Sequence, residues 1–268
     1  MPASSYDAIP DFGLLYDSVP LYAARQDIAF YVQEAATVRG PVLELGCGTG
    51  RILLPMARAG CTGVGLDNSR PMLARCRAKI AAEPAPVRAH VTLHEHDVRD
   101  FNLGAKYPLV IAPFRVLQHL TTVDDQLGFL TAVARHLAED GRFVFDVFNP
   151  AFAKLVEADG QEREDTPEQR LPDGRSFRRA ARVARVRWVD QVSEIELIYY
   201  VSARPGATPE RFVQAFEMRW YLRAELEHLL ARAGFRIRSV YGDFARGPLT
   251  DGSPEQVVCS ELGRRGRA

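Results

Sequence analysis

Residues 41–51 read PVLELGCGTGR. A short apolar run that ends in Gly46, Gly48 and Gly50 predicts a buried strand turning straight into a helix. Glycine supplies the positive φ such a turn needs and lets a ligand approach the backbone. The glycine pattern alone is a weak signal, because dinucleotide sites place G-x-G-x-x-G at the same turn. Two residues separate the readings. The sixth position, where a dinucleotide fold wants a small side chain for close helix packing, is Arg51. Glu44 puts a carboxylate into an otherwise apolar strand, and burying it is costly without a cationic partner. A pyrophosphate has the wrong sign for that partnership; an ammonium has the right one.

On the N-terminal side of this segment, 21–37 reads as one helix with an apolar face of Ile28, Phe30, Tyr31, Val32 and Ala35. On its C-terminal side a helix runs over 51–60 and is closed by Gly60. A strand at 61–67 follows, then a helix opened by Ser69 and Pro71 and running to about Ala82. Further strands are predicted at 90–97, 107–114 and 141–150, with a helix over 122–138. Strands alternating with helices imply parallel pairing through right-handed crossovers, hence an open, doubly wound, Rossmann-like α/β sheet.

After Pro150 the pattern changes. Residues 157–176 are charged and turn-rich with no apolar period and read as a loop. Three strands are expected at about 177–189, 191–203 and 211–221 with no helix between them, which implies an antiparallel sheet. In the third, Phe212, Phe216, Met218 and Trp220 alternate onto one face, with Gln214 as the exception. A helix over 223–235 and two strands, 235–244 and 255–262, return to the first pattern. The expected division is 1–150 with 222–268 as the core, and 151–221 as an inserted antiparallel β lid.

With 268 residues the chain is long enough to bury one substantial core. Its 34 basic and 34 acidic residues balance, which argues against a dedicated nucleic-acid binder. The arginines at 170, 175, 178, 179, 182, 185 and 187 form a basic run, but the acids at 157–168 with Glu194 and Glu196 offer them pairing partners. Cys47, Cys61, Cys76 and Cys259 include no C-x-x-C pair. The first twenty residues contain Asp7, Asp11 and Asp17 and lack a basic start and an apolar run. Together these predict reduced thiols, no membrane span and a cytoplasmic location. His94 and His96 share a strand face, yet two ligands without a third do not make a metal site, and no metal is expected.

Asp67 ends the second strand, 21 residues after Gly46, where a carboxylate accepts hydrogen bonds from ribose hydroxyls. Asp97 ends the third strand and suits an adenine amino group, with Val98 against the ring. Each alone is more readily a cap or loop residue. Three acids at the tips of successive strands beside a glycine turn favour a shared nucleoside site.

At this point the chain resembles the class I S-adenosylmethionine (SAM)-dependent methyltransferases. ELGCGTG matches their first motif, GLDNSRPML their acidic-loop motif and HDVRDF their adenine-binding segment, and the likeness covers roughly 12–150 and 222–262. It implies a seven-stranded sheet with the last strand antiparallel, S-adenosyl-L-methionine as cofactor and S-adenosyl-L-homocysteine as product. It implies that Glu44, Gly46, Cys47, Gly48 and Gly50 hold the methionine end. Asp67 would bind ribose, Asn68 and Met72 would lie beside adenine, and Asp97 with Val98 would bind the base. Pro113 would border the methionine, and Arg25 is placed like an arginine that members use for the SAM carboxylate. Pro108 departs from the family, where many members have Asp; no cofactor role attaches to it.

Methyl transfer is an in-line displacement that rests mainly on alignment, with a base to take a proton from the acceptor. His119, just after the fourth strand, is the candidate base; capping or packing is its bland alternative. Within the family a histidine at this spacing, with an inserted β lid, resembles the small amine N-methyltransferases, and Tyr16 is the matching N-terminal aromatic. Phe114, Asn149, Tyr199, Trp220 and Tyr221 are candidate walls for a small-molecule acceptor, although strand aromatics commonly serve sheet packing. The expected activity is transfer of the SAM methyl to a nitrogen or oxygen of a small molecule. The alternatives are a non-catalytic SAM-binding or partner-binding module, an RNA methyltransferase using the arginine run, and an NAD-dependent oxidoreductase. The sequence leaves acceptor and oligomeric state open.

Overall fold

The computed structural model describes residues 9–263; Asp7 lies outside them. The chain opens with helices α1 (Phe12–Asp17), α2 (Pro20–Ala23) and α3 (Asp27–Ala36). It continues through β1 (Val42–Leu45), α4 (Leu53–Arg58), β2 (Gly63–Asp67), α5 (Arg70–Ala81), α6 (Ala85–Arg88), β3 (Val91–Glu95) and β4 (Tyr107–Ala112). A 3₁₀ turn (Val116–His119) leads to α7 (Val123–His136) and β5 (Leu137–Phe148). After α8 (Phe152–Val156) come β6 (Arg163–Arg170), β7 (Ser176–Arg187), β8 (Val192–Ser202) and β9 (Glu210–Arg219). The chain then returns through α9 (Arg223–Arg232), β10 (Phe235–Tyr241) and β11 (Glu255–Leu262).

Seven strands form one sheet in the order β10-β11-β5-β4-β1-β2-β3. β1 to β5 pair in parallel, whereas β11 runs antiparallel to both β5 and β10. All four residues of β1 are buried, as a strand with helices on both faces requires. One apolar cluster joins Leu43, Leu45, Val110, Phe129, Phe143 and Phe145 on one face of the sheet. A second joins Val42, Leu53, Met56, Leu73, Leu109 and Ile111 on the other. β6 to β9 form a separate antiparallel sheet in sequence order. α1 is held between the two sheets: Phe12, Leu15 and Val19 pack with Phe177, Tyr199 and Val201 of the lid and with Met72 of the core.

Several sequence expectations need correction. The helix over 21–37 is broken at Arg25, because that side chain leaves the helix to pair with Asp27, Asp146 and Glu255. The stretch 157–176 is not all loop, since β6 lies within it. β6 is a sheet edge rich in charge, carrying Pro167 and register irregularities, which are the devices that blunt an edge against aggregation and erase the alternating signal. β5 begins at Leu137, four residues before the expected start, and Asp97 lies two residues beyond β3. The basic run is largely paired: Arg175 meets Asp173 and Asp11, Arg179 meets Asp165, Arg182 meets Glu196, and Arg187 meets Glu194. No helix among the described residues is long and apolar enough to cross a membrane.

Candidate active site

A cavity of about 530 Å³ opens at the carboxyl ends of β1, β2 and β4, roofed by the second sheet and by α1. Crevices of open α/β sheets lie at this end because the strand-to-helix turns splay apart there. Gly46 (φ 69°) and Gly48 (φ 53°) line it in left-handed conformations. A methyl group on Gly46 would lie 2.6 Å from Val116 Cγ2, so this turn and the 3₁₀ turn after β4 meet only because the position is bare.

Glu44 lines the cavity from within β1. It is 2 % exposed and its Oε2 has no hydrogen-bond partner. Burial pushes its carboxyl well above the usual carboxylate range, offset in part by the Arg51 guanidinium. Arg51, also on the cavity wall, is clamped by Asp27, whose two oxygens accept from Nη1 at 2.7 Å and Nη2 at 2.6 Å. An unpaired buried carboxylate and an oriented guanidinium on one wall suit a zwitterionic amino-acid end. Asp67 accepts from the Gly48 and Ser69 backbone N–H groups, each at 2.8 Å, and burial outweighs these bonds in raising its pKa. Asn68, Met72, Val98 and Asp97 continue this wall. Asp97 is chelated by the Arg99 guanidinium and backbone, which hold its carboxyl below the usual range. Cys47 is also on the wall; burial raises its thiol well above its ordinary pKa, so it contributes shape as a neutral group.

Beside β1, β4 leaves the sheet through Pro113, Phe114 and Arg115. The last two have φ of 60° and 70°, conformations that cost non-glycine residues about 1–2 kcal/mol each. Buried Asp146 of β5 holds this corner: its Oδ1 accepts from Phe114 N at 2.9 Å and from Tyr31 Oη at 2.7 Å, and its Oδ2 from Arg25 at 3.0 Å. The corner presents Phe114 and, through the 3₁₀ turn, His119 to the cavity. The His119 ring packs on Phe216 of the lid, centroids 5.4 Å apart. Surrounding protein and the Arg115 cation disfavour the imidazolium and lower the His119 pKa to about 4.

Tyr16, Glu44, Gly46, Cys47, Gly48, Asp67, Asn68, Met72, Asp97, Val98, Pro113, Phe114 and His119 thus share one cavity. Six other sequence candidates do not line it. Gly50 faces Cys76 behind the turn. Arg25 is spent on Asp27, Asp146 and Glu255. Asn149 bonds the Ser253 carbonyl, Tyr199 packs against Phe12, Trp220 packs against Phe152 and Trp188, and the Tyr221 hydroxyl reaches the Leu117 carbonyl. The lid contributes Arg179, Ile195, Leu197, Gln214, Phe216 and Met218 instead. The polar break at Gln214 was the one sequence signal for that face. Tyr22 and Arg51 also line the cavity; in the sequence Arg51 marks only the departure from a dinucleotide turn. Among the described residues no group of three or more His, Cys, Asp or Glu is placed to hold a metal.

Comparison with known proteins bears on the family and the fold. Residues 42–141 match the methyltransferase domain family. The chain is 27 % identical to the dTDP-3-amino-3,4,6-trideoxy-alpha-D-glucopyranose N,N-dimethyltransferase of Streptomyces venezuelae, covering 82 % of this chain and 86 % of that one. The CcbJ methyltransferase of Streptomyces caelestis superposes with a TM-score of 0.75 at 25 % identity, over 97 % of this chain and 98 % of that one. DesVI of Streptomyces venezuelae does so with a TM-score of 0.66 at 27 % identity, over 88 % and 91 % respectively.

Proposed function

Given that this chain is a SAM-dependent methyltransferase of class I fold, we propose that it methylates a nitrogen of a small amine, an amino sugar being the substrate class of two of its relatives. The carrying observation is one cavity lined by an orphaned buried carboxylate, Glu44, an oriented cation, Arg51, and a neutral histidine, His119.

The residues present fit SAM. Glu44 would accept the ammonium and Arg51 would meet the carboxylate, with Gly46 and Gly48 bare beside them. Asp67 would take the ribose hydroxyls, and Asn68, Met72, Val98 and Asp97 would enclose the adenine. Bound SAM supplies a methyl group on a sulfonium, which makes it an electrophile. What remains for the protein is to align the acceptor and exclude water. His119 has a pKa of about 4, whereas an alkylammonium is near 10, so the ring is too weak a base to keep the proton. Its role is to accept a hydrogen bond from the neutral amine and aim the lone pair at the methyl group. The product amine's proton then passes to water.

The same reading takes 151–221 as the acceptor subdomain, places the enzyme in the cytoplasm with its four cysteines free, and involves no nucleic acid, since most of the arginine run is paired with acids. Asp67→Ala should weaken SAM binding in calorimetry about 100-fold, the scale of two charge-assisted hydrogen bonds. His119→Ala should leave that binding intact and slow S-adenosylhomocysteine release tenfold or more. Unchanged affinity in the first variant removes the ribose assignment; unchanged turnover in the second makes the histidine structural.

A further inference from the structure

β9 turns Phe212, Gln214, Phe216 and Met218 to one side, where Tyr199, Leu197, Ile195 and Ser193 of β8 stand directly opposite them. Five of these residues line the cavity; Ile195, Leu197, Phe216 and Met218 give it an apolar ceiling, with Phe216 packed on His119. Gln214 interrupts it. The side chain is 2 % exposed and its Oε1 is buried with no hydrogen-bond partner. Other buried glutamines serve the fold: Gln118, Gln126 and Gln256 each donate to a backbone carbonyl, of Arg219, Leu120 and Tyr221 respectively; Gln256 Oε1 is also without a partner, but it does not line the cavity as Gln214 does. A desolvated, unpaired oxygen opposes folding, so its presence in a ligand cavity has to be explained by what enters there. The lid brings only one charge to this space, the Arg179 guanidinium, and Asp165 neutralises it with bonds of 2.9 and 3.0 Å.

We propose that Gln214 is the specificity-determining residue for the acceptor: its Oε1 accepts a hydrogen bond from a hydroxyl or N–H group next to the atom that is methylated. This rests on reading the cavity as the site of methyl transfer. The acceptor class that fits is an uncharged molecule, at least in its buried part, that pairs an apolar face against Leu197, Ile195 and Phe216 with a donor beside the reacting amine. A deoxygenated amino sugar has both features. A phosphate or carboxylate at that point would meet the oxygen with the wrong sign.

The test compares wild type with Gln214→Met, which keeps the volume and removes the acceptor oxygen. Three readouts are taken: melting temperature without acceptor, SAM affinity, and S-adenosylhomocysteine release with a set of amino hexoses, free and nucleotide-linked. The expected result is a melting temperature equal to or about 2–4 °C above wild type and unchanged SAM affinity. kcat/KM for the amino hexose that the wild type prefers should fall at least about tenfold, chiefly through KM. A melting temperature several degrees lower with unaltered kcat/KM makes Gln214 a structural residue and overturns the proposal. Loss of SAM binding in the wild type itself, by contrast, defeats the methyl-transfer reading. Wild type that binds SAM but methylates only hexoses lacking a donor beside the amine overturns the role of Gln214 alone.

Discussion

His119 and Glu44 both titrate far from their ordinary values, and in both the surrounding protein favours the neutral form. For His119 the sign is definite. Between pH 6.5 and about 4 the unfolded chain binds a proton that the folded chain refuses, so stability falls as pH falls through that window. Replacing His119 with Asn should flatten this part of the stability-versus-pH curve, as followed by thermal melts; an unchanged slope would show that the imidazole titrates normally. The acid limb of the turnover profile should likewise show no inflection at pH 6.5, because His119 is already neutral there. For Glu44 the orphaned oxygen is the point: the ligand-free fold leaves a buried acceptor unmade, and a cationic ligand is the natural complement. Single residues of this kind stood out in the sequence because they broke a local pattern. Glu44 broke an apolar strand and Gln214 an alternating one.

The elements that build the site meet by close approach. The turn between β1 and α4 touches the 3₁₀ turn that carries His119 at Gly46, opposite Val116. Gly46→Ala combines a left-handed backbone with a 2.6 Å contact and should lower stability by about 2–3 kcal/mol in denaturant unfolding. The same displacement should weaken SAM binding as well. Full affinity with full stability would mean that the two turns are independent. Periodicity located most elements to within a few residues, including β7, β8, β9 and β11. It failed at β6, where a charged edge strand looks like a loop, and at α2 and α3, where ion pairs to Asp146 and Glu255 break what propensity alone would continue.

At the scale of the molecule, α1 ties the lid to the core and covers the cavity, with Asp17 bonded to Thr49, Arg75 and Lys79 and Phe12 packed on Tyr199. A ligand buried among these parts stabilises them together. SAM at 100 times its Kd should add about 2.7 kcal/mol and raise the melting temperature by about 5–10 °C. NAD at the same concentration should leave it unmoved; the reverse order would return the chain to the oxidoreductases.

The sequence by itself determined the class of fold and picked out most of the residues on the glycine-turn side of the cavity, though Arg25 and Gly50 do not line it and Arg51 does. The glycine turn, the acids at the strand tips and the alternation of strand with helix are all local patterns, carried by neighbours in the chain. Only the tertiary structure decided the second sheet's share of the cavity. Which lid residues face inward depends on the pairing of β8 with β9, and a one-residue slip exchanges the two faces. It likewise decided that Arg25 serves the Asp146 corner while Arg51 reaches the cavity, because Arg25 is drawn away by Asp146 and Glu255, both more than a hundred residues further along the chain, whereas Arg51 is held by Asp27 close by.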